Sequence, residues 1–167
     1  EETSSYNELV EKTGLTEMET AKWKEVQEKI YLPRKEGTKL LEQFEGYFEL
    51  DNVTIEKYDE NDWPIRPEAL KTKKAKETQI NKQADVVMLL HLMGNEFDDE
   101  TIKENYAYYE KRTLHGSSLS PSIYSVMGLK VGDDSKAYRY LRRAAFIDLL
   151  NMQGNTREGI HAANTGG

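Results

Sequence analysis

The sequence predicts a mainly α-helical fold, with one short extended or strand segment at residues 40–50. From residue 79 onward, apolar residues recur at helical spacing in several consecutive segments. The connections between these segments are short, and no second strand-rich region follows them. Both observations favour an all-α architecture over an α/β one. The exception at residues 40–50 mixes aromatic and polar residues around Gly46, which suits an extended chain better than a helix.

The first thirty residues are expected to contain one well-marked helix. Thr16 and Glu19 have the form of a capping box, in which a hydroxyl and a glutamate three residues later satisfy free N–H groups at a helix start. A helix over residues 16–30 should follow and end before Pro33. Residues 51–68, which include Pro64 and Pro67, are predicted to form a loop.

Two helices are predicted between residues 84 and 110. Residues 84–93 are apolar on nearly every face, so this helix should be buried, with His91 as a core histidine. The next helix should begin at Asp98 or Asp99 as N-cap. Its apolar stripe consists of Ile102, Tyr106 and Tyr109.

A further helix should begin where Ser120 directly precedes Pro121, because this pair suits an N-cap and a first helical residue. Gly128 or Gly132 should end it. Its apolar face is supplied by Ile123, Val126 and Met127.

A last long helix is predicted over residues 134–150, followed by a loop over residues 151–167. The residues expected inside are Ala137, Leu141, Ala144 and Ala145. The residues expected outside or at the edge of the helix are Arg139, Arg142 and Arg143.

Composition narrows the classes of function. A hydrophobic content of 37% with 32% charged residues suits a globular domain, and no apolar run approaches the roughly 20 residues needed to span a bilayer. A net charge of −7 argues against a nucleic-acid partner, because phosphate backbones are held by dense Lys/Arg patches. The short basic run at residues 71–76 is interpreted as a solvated surface. The absence of cysteine excludes disulfides and thiolate metal sites and favours a cytoplasmic location.

The ends of the sequence suggest a piece of a longer protein. The chain starts at Glu1 without a methionine or a signal-peptide pattern, and it stops in a turn-like stretch at residues 164–167. We therefore expect an excised segment.

Lys82 and Gln83 are the first candidate site residues. They open the most hydrophobic helix of the chain, and a lysine in a first turn opposes the helix dipole. A binding role would explain this placement. The alternative is a lysine whose ammonium extends into solvent or pairs with Asp85.

Residues 113–121 form the second candidate. Ser117 and Ser118, together with His115, precede a helix N-terminus, where free N–H groups and the helix dipole favour anions. Ordinary helix capping explains Ser120 but neither of the two earlier serines. An anion site is therefore one interpretation, and simple capping is the other.

Residues 154–161 form the third candidate. They gather an amide, a guanidinium, the Glu158 carboxylate and the His161 imidazole between glycines that let the backbone approach a ligand closely. By residue type alone, a polar turn remains the alternative. The three histidines of the chain lack the i, i+4 spacing of a helical zinc site, so no metal is predicted.

Together these segments resemble glycoside hydrolase family 65, whose members include maltose, trehalose, kojibiose and nigerose phosphorylases. The resemblance covers roughly residues 32–167 and includes residues 43–47. The motifs, in family order, are Asn81-Lys82-Gln83-Ala84-Asp85-Val86, Tyr108-Tyr109-Glu110 with Thr113 and His115, Ser117-Ser118-Leu119-Ser120-Pro121, and Glu158-Gly159-Ile160-His161 before a Gly-Gly turn.

The resemblance implies that residues 1–167 are the C-terminal portion of a catalytic (α/α)6 barrel with its active site at one mouth of the barrel. It implies an inverting phosphorylase, in which phosphate attacks an α-glucosidic disaccharide and β-glucose 1-phosphate forms. Lys82 and Gln83 would then bind the glucosyl unit. The residues that would hold phosphate are Ser117, Ser118 and His161, with His115 and Glu158 as further candidates.

The resemblance also implies partners and a missing part. No cofactor is expected besides inorganic phosphate as co-substrate, and the partners would be a disaccharide, the remainder of the polypeptide and a second copy in a homodimer, without nucleic acid or membrane. The general acid of the family lies well upstream of Lys82, in a stretch that should precede residue 1, and Asp59 and Glu60 are poor substitutes for it. This chain alone is therefore expected to be inactive.

Two other functions stay open. A hydrolase of the same family would use water, with Glu158 as a candidate base, and its product formation would not depend on phosphate. A helical interaction module without chemistry is suggested by the tyrosine-rich residues 105–110 and the acidic surface. The hypothesis of a non-catalytic interaction module predicts that Lys82→Ala and His161→Ala leave all enzymatic function unchanged.

Overall fold

The computed structural model describes residues 2–165, with side chains described for residues 5–164. The chain divides into two compact units, Glu1–Leu32 and Pro33–Gly167. The first unit contains helices α1 (Glu2–Thr13) and α2 (Glu17–Lys29). As predicted, Thr16 caps α2, because its hydroxyl accepts a hydrogen bond from the Glu19 backbone N–H at 3.2 Å.

The second unit contains the core. Its helices are α3 (Asp85–Leu92), α4 (Asp99–Glu110), α5 (Ser120–Val131), α6 (Asp134–Phe146) and the short α7 (Ala162–Thr165). Asp98 caps α4, and the predicted stripe of Ile102, Tyr106 and Tyr109 is buried in the main apolar cluster. None of the helices in the described part of the chain is long and apolar enough to cross a membrane.

Helices α5 and α6 approach each other closely. The turn between them begins at Gly132, whose left-handed conformation ends α5 as one of the two predicted glycines. A Cβ atom added at Gly128 would lie 3.1 Å from the Cβ atom of Ala137, so a larger side chain there would push the helices apart. The Ser125 hydroxyl also donates to the Ala137 carbonyl at 2.9 Å.

The segment before α3 is irregular. Over residues 2–165 the chain forms isolated bridges and no strand. The segment predicted to be extended pairs Leu41 with Arg34 in one antiparallel bridge and then forms a 3₁₀ turn at Tyr47–Glu49. Gly46 permits this change of direction, because its φ of 83° lies in the left-handed region.

Helix α3 is buried on one side only. Val86, Val87 and Leu90 face the core, but Leu92 is 71% exposed and His91 is also exposed. The predictions of an all-round buried helix and of a core His91 are therefore wrong. Helices α4 and α5 pack against α3 around a core cluster that includes the two valines, and His91 lies in the last turn of α3, outside that cluster.

Helix α6 is shorter than predicted and has a different buried face. Ala137 and Ala144 are buried as expected, but Leu141 is 56% exposed and Ala145 is exposed as well. Arg143, predicted to lie outside or at the edge of the helix, is nine-tenths buried, and its guanidinium lies over the Trp63 ring. A cation–π interaction with this ring stabilises the guanidinium on the buried side of the helix.

Asn105 joins α4 to the segment before it. Its fully buried side chain accepts from the Leu41 N–H at 2.8 Å and donates to the carbonyls of Lys39 and Thr101 at 2.9 and 2.8 Å. Buried polar groups of this kind cost free energy when they lose their partners.

We predict that Asn105→Ala lowers the free energy of unfolding of the second unit by about 3 kcal/mol, since the Leu41 N–H and the Lys39 carbonyl lose their buried partner. Urea denaturation followed by Trp63 fluorescence, with Trp23 replaced by Phe, measures this change. The exposed Asn95→Ala is the control and should change stability by less than about 0.5 kcal/mol. Equal stability of the two variants would contradict the prediction.

Candidate functional site

The first two candidate segments are held together by backbone pairing. The Asn81 N–H donates to the Arg112 carbonyl at 2.7 Å, and the Leu114 N–H donates to the Asn81 carbonyl at 2.9 Å. A third bond runs from the Gly116 N–H to the Lys82 carbonyl at 2.8 Å. The loop that enters α3 and the loop that enters α5 therefore lie side by side.

Lys82 lies against Gly116 in this arrangement. A Cβ atom added at Gly116 would be 3.3 Å from Cγ of Lys82, so the lysine stem runs directly over the glycine. Asp85 is not the partner of this lysine, because its carboxylate accepts from the amides of Gln83 at 2.9 Å and Gln43 at 2.8 Å. Lys82 is exposed and forms none of the ion pairs found among the described residues, so its ammonium is available to a ligand.

Ser117 and Ser118 are half-buried and directly precede α5, whose N-cap is Leu119. The prediction that Ser120 is the N-cap is wrong. Ser120 is buried inside the first turn, and its hydroxyl lies 2.8 Å from Nδ1 of His115. The Leu119 side chain has no hydrogen-bond acceptor, so it cannot cap the first N–H groups of α5.

His115 is the centre of a buried polar network. Its Nε2 lies 3.1 Å from the Tyr140 hydroxyl, which donates to the Glu110 carboxylate at 3.2 Å. The same carboxylate accepts from the Lys136 ammonium at 2.8 Å. Because Tyr140 donates to Glu110, it accepts from His115, and the imidazole therefore carries its proton on Nε2 and accepts from Ser120 on Nδ1.

Burial keeps this imidazole neutral. Loss of hydration lowers the pKa of His115 to about 3, and the nearby positive charge of Arg143 acts in the same direction. The backbone at His115 is also in the left-handed region, with φ of 51°. A neutral imidazole whose two ring nitrogens both have partners holds the chain in position just before Ser117.

His161 belongs to a separate group of contacts after α6. Its Nδ1 lies 2.5 Å from one oxygen of Asp148, and its backbone N–H donates to the other oxygen at 2.8 Å. Its Nε2 lies 3.4 Å from the Asn155 amide nitrogen. Glu158 ends a 3₁₀ turn at Thr156–Glu158 and is exposed.

Two of the three candidate segments are joined directly by backbone hydrogen bonds, and the third is held by contacts of its own. Lys82 is joined to the loop of Ser117 by backbone bonds, whereas His161 is held by Asp148 and Asn155. Within the described residues, no group of three or more His, Asp or Glu side chains could hold a metal ion.

Comparison with known proteins identifies the family. The sequence profile of the glycosyl hydrolase family 65 central catalytic domain matches residues 1–167. The chain belongs to this family. Its helices form part of the (α/α)6 barrel that the resemblance implied, and the described part contains no strand.

Several relatives of this family 65 chain are disaccharide phosphorylases. Kojibiose phosphorylase from Thermoanaerobacter brockii is 56% identical over 162 residues, which are 97% of this chain and 21% of that protein. Alpha,alpha-trehalose phosphorylase from the same organism is 32% identical, with the same coverage of 97% and 21%. A solved structure described as a candidate kojibiose phosphorylase from the human microbiome matches with a TM-score of 0.73 and 34% identity, over 94% of this chain and 21% of that one. The chain therefore spans about a fifth of the length of these relatives.

Asp148 is a residue that the sequence interpretation missed. It was assigned to the interior of a helix over residues 134–150, but α6 ends at Phe146 and the turn that follows lets Asp148 reach His161. The contact spans 13 residues and has no local spacing signal. A correct prediction of where α6 ends would have shown that Asp148 lies in a turn, but no glycine or proline marks this helix end in the sequence.

We predict that His115 makes the protein sensitive to acid. The unfolded chain binds a proton on this histidine below a pKa of 6.5, whereas the folded chain does so only near pH 3, so stability falls as the pH drops between these values. Between pH 6.5 and pH 5, wild-type protein should lose about 2 kcal/mol more unfolding free energy than His115→Asn, which tolerates the left-handed backbone but does not titrate.

Urea denaturation at the two pH values measures this difference, since the remaining titrating groups are shared by both proteins. His91→Asn is the matched control, because it removes an exposed histidine and leaves the buried network around His115 intact. Identical pH dependence in wild type and His115→Asn would show that the buried histidine is not the acid-sensitive group.

Proposed function

We propose that the full-length protein is an inverting phosphorylase that cleaves an α-glucosidic disaccharide with inorganic phosphate to give β-glucose 1-phosphate and a free sugar. The observation that supports it most directly is the backbone pairing that places Lys82 beside the loop of Ser117. A cation and hydroxyls ahead of a helix N-terminus suit a sugar next to a phosphate. Family membership and the phosphorylase relatives agree with this chemistry.

Each group has a distinct role in the proposed reaction. Lys82 and Gln83 hydrogen-bond hydroxyls of the glucosyl unit, and Asp85 holds the Gln83 amide in place. The hydroxyls of Ser117 and Ser118 donate hydrogen bonds to phosphate, and the His161 imidazole also contacts it. Phosphate then attacks the anomeric carbon from the face opposite the leaving sugar, where an inverting hydrolase would place its water.

Kojibiose is the proposed substrate. Three relatives named kojibiose phosphorylase are 56%, 56% and 42% identical to this chain. Two trehalose phosphorylases are 32% and 34% identical, and a maltose phosphorylase is 29% identical. The higher sequence identity to the kojibiose phosphorylases favours the same linkage preference in this protein. The reaction needs no cofactor besides phosphate.

We also propose that the general acid lies outside residues 1–167, so this chain alone is inactive. Asp85, the carboxyl group two residues after Gln83, is engaged by two glutamine amides and is not placed to act as an acid. The full-length protein is proposed to be a cytoplasmic homodimer, with the remaining polypeptide completing the site.

We predict that the full-length protein releases glucose 1-phosphate from kojibiose only when phosphate is present. A panel of α-linked disaccharides, assayed with and without phosphate for glucose 1-phosphate and free glucose, tests the reaction and the linkage together. Release of glucose without phosphate would instead indicate a hydrolase, with Glu158 as a candidate base. No turnover of any member of the panel would contradict both enzymatic functions.

We predict that Lys82→Met in the full-length protein lowers kcat/KM for the disaccharide by a factor of roughly 100, because a charge-assisted hydrogen bond to the sugar is lost. Methionine keeps an unbranched stem over Gly116, so the neighbouring loop should retain its position. Lys76→Met, at an exposed position in the basic run, is the matched control and should leave kcat/KM unchanged. Wild-type kinetics in Lys82→Met would exclude a sugar-binding role for this lysine.

A further inference from the structure

We propose that Gln43 and Asp85 are positioning residues that turn the Gln83 amide so that its oxygen accepts a hydrogen bond from a hydroxyl group of the glucosyl unit. This role rests on the proposed function, which assigns sugar binding to Gln83, and it adds the direction of that hydrogen bond. Asp85 is the first residue of α3, and Gln43 lies in the segment before the 3₁₀ turn at Tyr47–Glu49.

The Asp85 carboxylate binds two amides, one with each oxygen. Oδ1 accepts from Nε2 of Gln83 at 2.9 Å, and Oδ2 accepts from Nε2 of Gln43 at 2.8 Å. A carboxylate offers acceptors only, so each amide turns its NH2 group toward Asp85 and its oxygen away. The carboxylate therefore decides which end of the Gln83 amide is left for a ligand.

Gln43 is held in an orientation that leaves part of its own amide unsatisfied. Its side chain is half-buried, and its Oε1 atom is buried without a hydrogen-bond partner. Turning the amide over would bring this oxygen against the Asp85 carboxylate, so the contact with Asp85 maintains the orientation. A buried acceptor without a partner costs free energy. The contact of Gln43 with Asp85 therefore serves the position of the carboxylate more than the stability of the fold.

The oxygen of the Gln83 amide is left for a hydrogen-bond donor. Gln83 is exposed, and within residues 5–164 its Oε1 atom accepts no hydrogen bond. The neighbouring Lys82 is also exposed, and its ammonium can only donate. The two residues therefore make opposite demands on a ligand, since Lys82 needs an acceptor and the Gln83 oxygen needs a donor. Sugar hydroxyls meet both demands, because each hydroxyl can donate and accept.

Analogues of the disaccharide that the full-length enzyme cleaves test the direction of the hydrogen bond. In each analogue, one hydroxyl of the glucosyl unit is replaced by hydrogen or by fluorine, which accepts weakly and cannot donate. Each analogue is assayed with wild type and Gln83→Ala, so that the effect of fluorine on the reactivity of the sugar cancels in the ratio. At one position, wild type should prefer the parent sugar roughly tenfold over both analogues, relative to Gln83→Ala.

Asp85→Asn in the same full-length enzyme tests the carboxylate. This variant carries an NH2 group that can bind the Gln83 oxygen, so the roughly tenfold preference should fall to less than about threefold. KM for inorganic phosphate should stay within about twofold of wild type, because the serine loop proposed to hold phosphate is unchanged. Asp99→Asn is the matched control, since Asp99 is the exposed first residue of α4, and it should leave the preference unchanged.

Gln43→Met separates positioning from stability. Methionine keeps an unbranched stem but cannot donate to Asp85, so the preference should fall by at least about twofold. The thermal unfolding midpoint should stay equal to or above that of wild type, because the unpartnered buried oxygen is removed. In a double-mutant cycle, Asp85→Asn added to Gln83→Ala should lower kcat/KM for the disaccharide by less than about twofold further, because the amide through which Asp85 acts is absent.

Three outcomes would overturn these roles. They are the absence of any position at which fluorine costs as much as hydrogen, an undiminished preference in folded Asp85→Asn or Gln43→Met, and full additivity of Asp85→Asn with Gln83→Ala. The proposed function fails separately. If wild-type enzyme shows no dependence on phosphate, the phosphorylase assignment is wrong, whereas a normal kcat/KM in Gln83→Ala removes only the role of Gln83 and, with it, those of Asp85 and Gln43.

Discussion

The backbone pairing of residues 81–82 with residues 112–116 is the constraint on which the candidate site depends. Both paired segments are anchored in the core: the Asn81 amide donates to the Tyr47 hydroxyl at 3.3 Å, and the Thr113 hydroxyl lies 2.8 Å from the Tyr124 hydroxyl. Asn81 and Thr113 are both buried. The two loops therefore cannot move apart without breaking buried hydrogen bonds, and the lysine and the serines that follow them keep a fixed spacing.

The network around His115 extends this constraint to α6. His115 connects the α5 start, through Ser120, to Tyr140 on α6 and to Glu110 at the end of α4. The Lys136 ammonium balances the charge of Glu110, which is buried at the other end of the network. A buried carboxylate without such a partner would cost free energy. A neutral imidazole is the form that fits, since a positive ring would lose its bond from Ser120 and face Arg143. The loop ahead of α5 thus takes its shape from three helices.

Local signals in the sequence predicted the fold better than they predicted the burial of particular residues. The caps at Thr16 and Asp98 and the stripe on α4 depend on neighbouring residues, so the sequence revealed them. The exposure of His91 and the burial of Arg143 depend on tertiary packing. Arg143 is buried against the ring of Trp63, which is distant in the sequence. Motif resemblance singled out Lys82 and Ser117 as candidates, whereas the contact between Asp148 and His161 arises from the three-dimensional turn after α6.

The exposed apolar residues of α3 and α5 follow from the place of this segment in its family. Leu92 and Met93 on and just after α3, and Val126 and Leu129 on α5, are 46–71% exposed although each belongs to an apolar helix. Apolar surface of this kind usually marks a contact with further protein. The relatives are far longer, since this chain spans 21% of their length. We expect other helices of the barrel to cover these faces, whereas the buried side of α3 and α5 already holds the two loops of the candidate site in place.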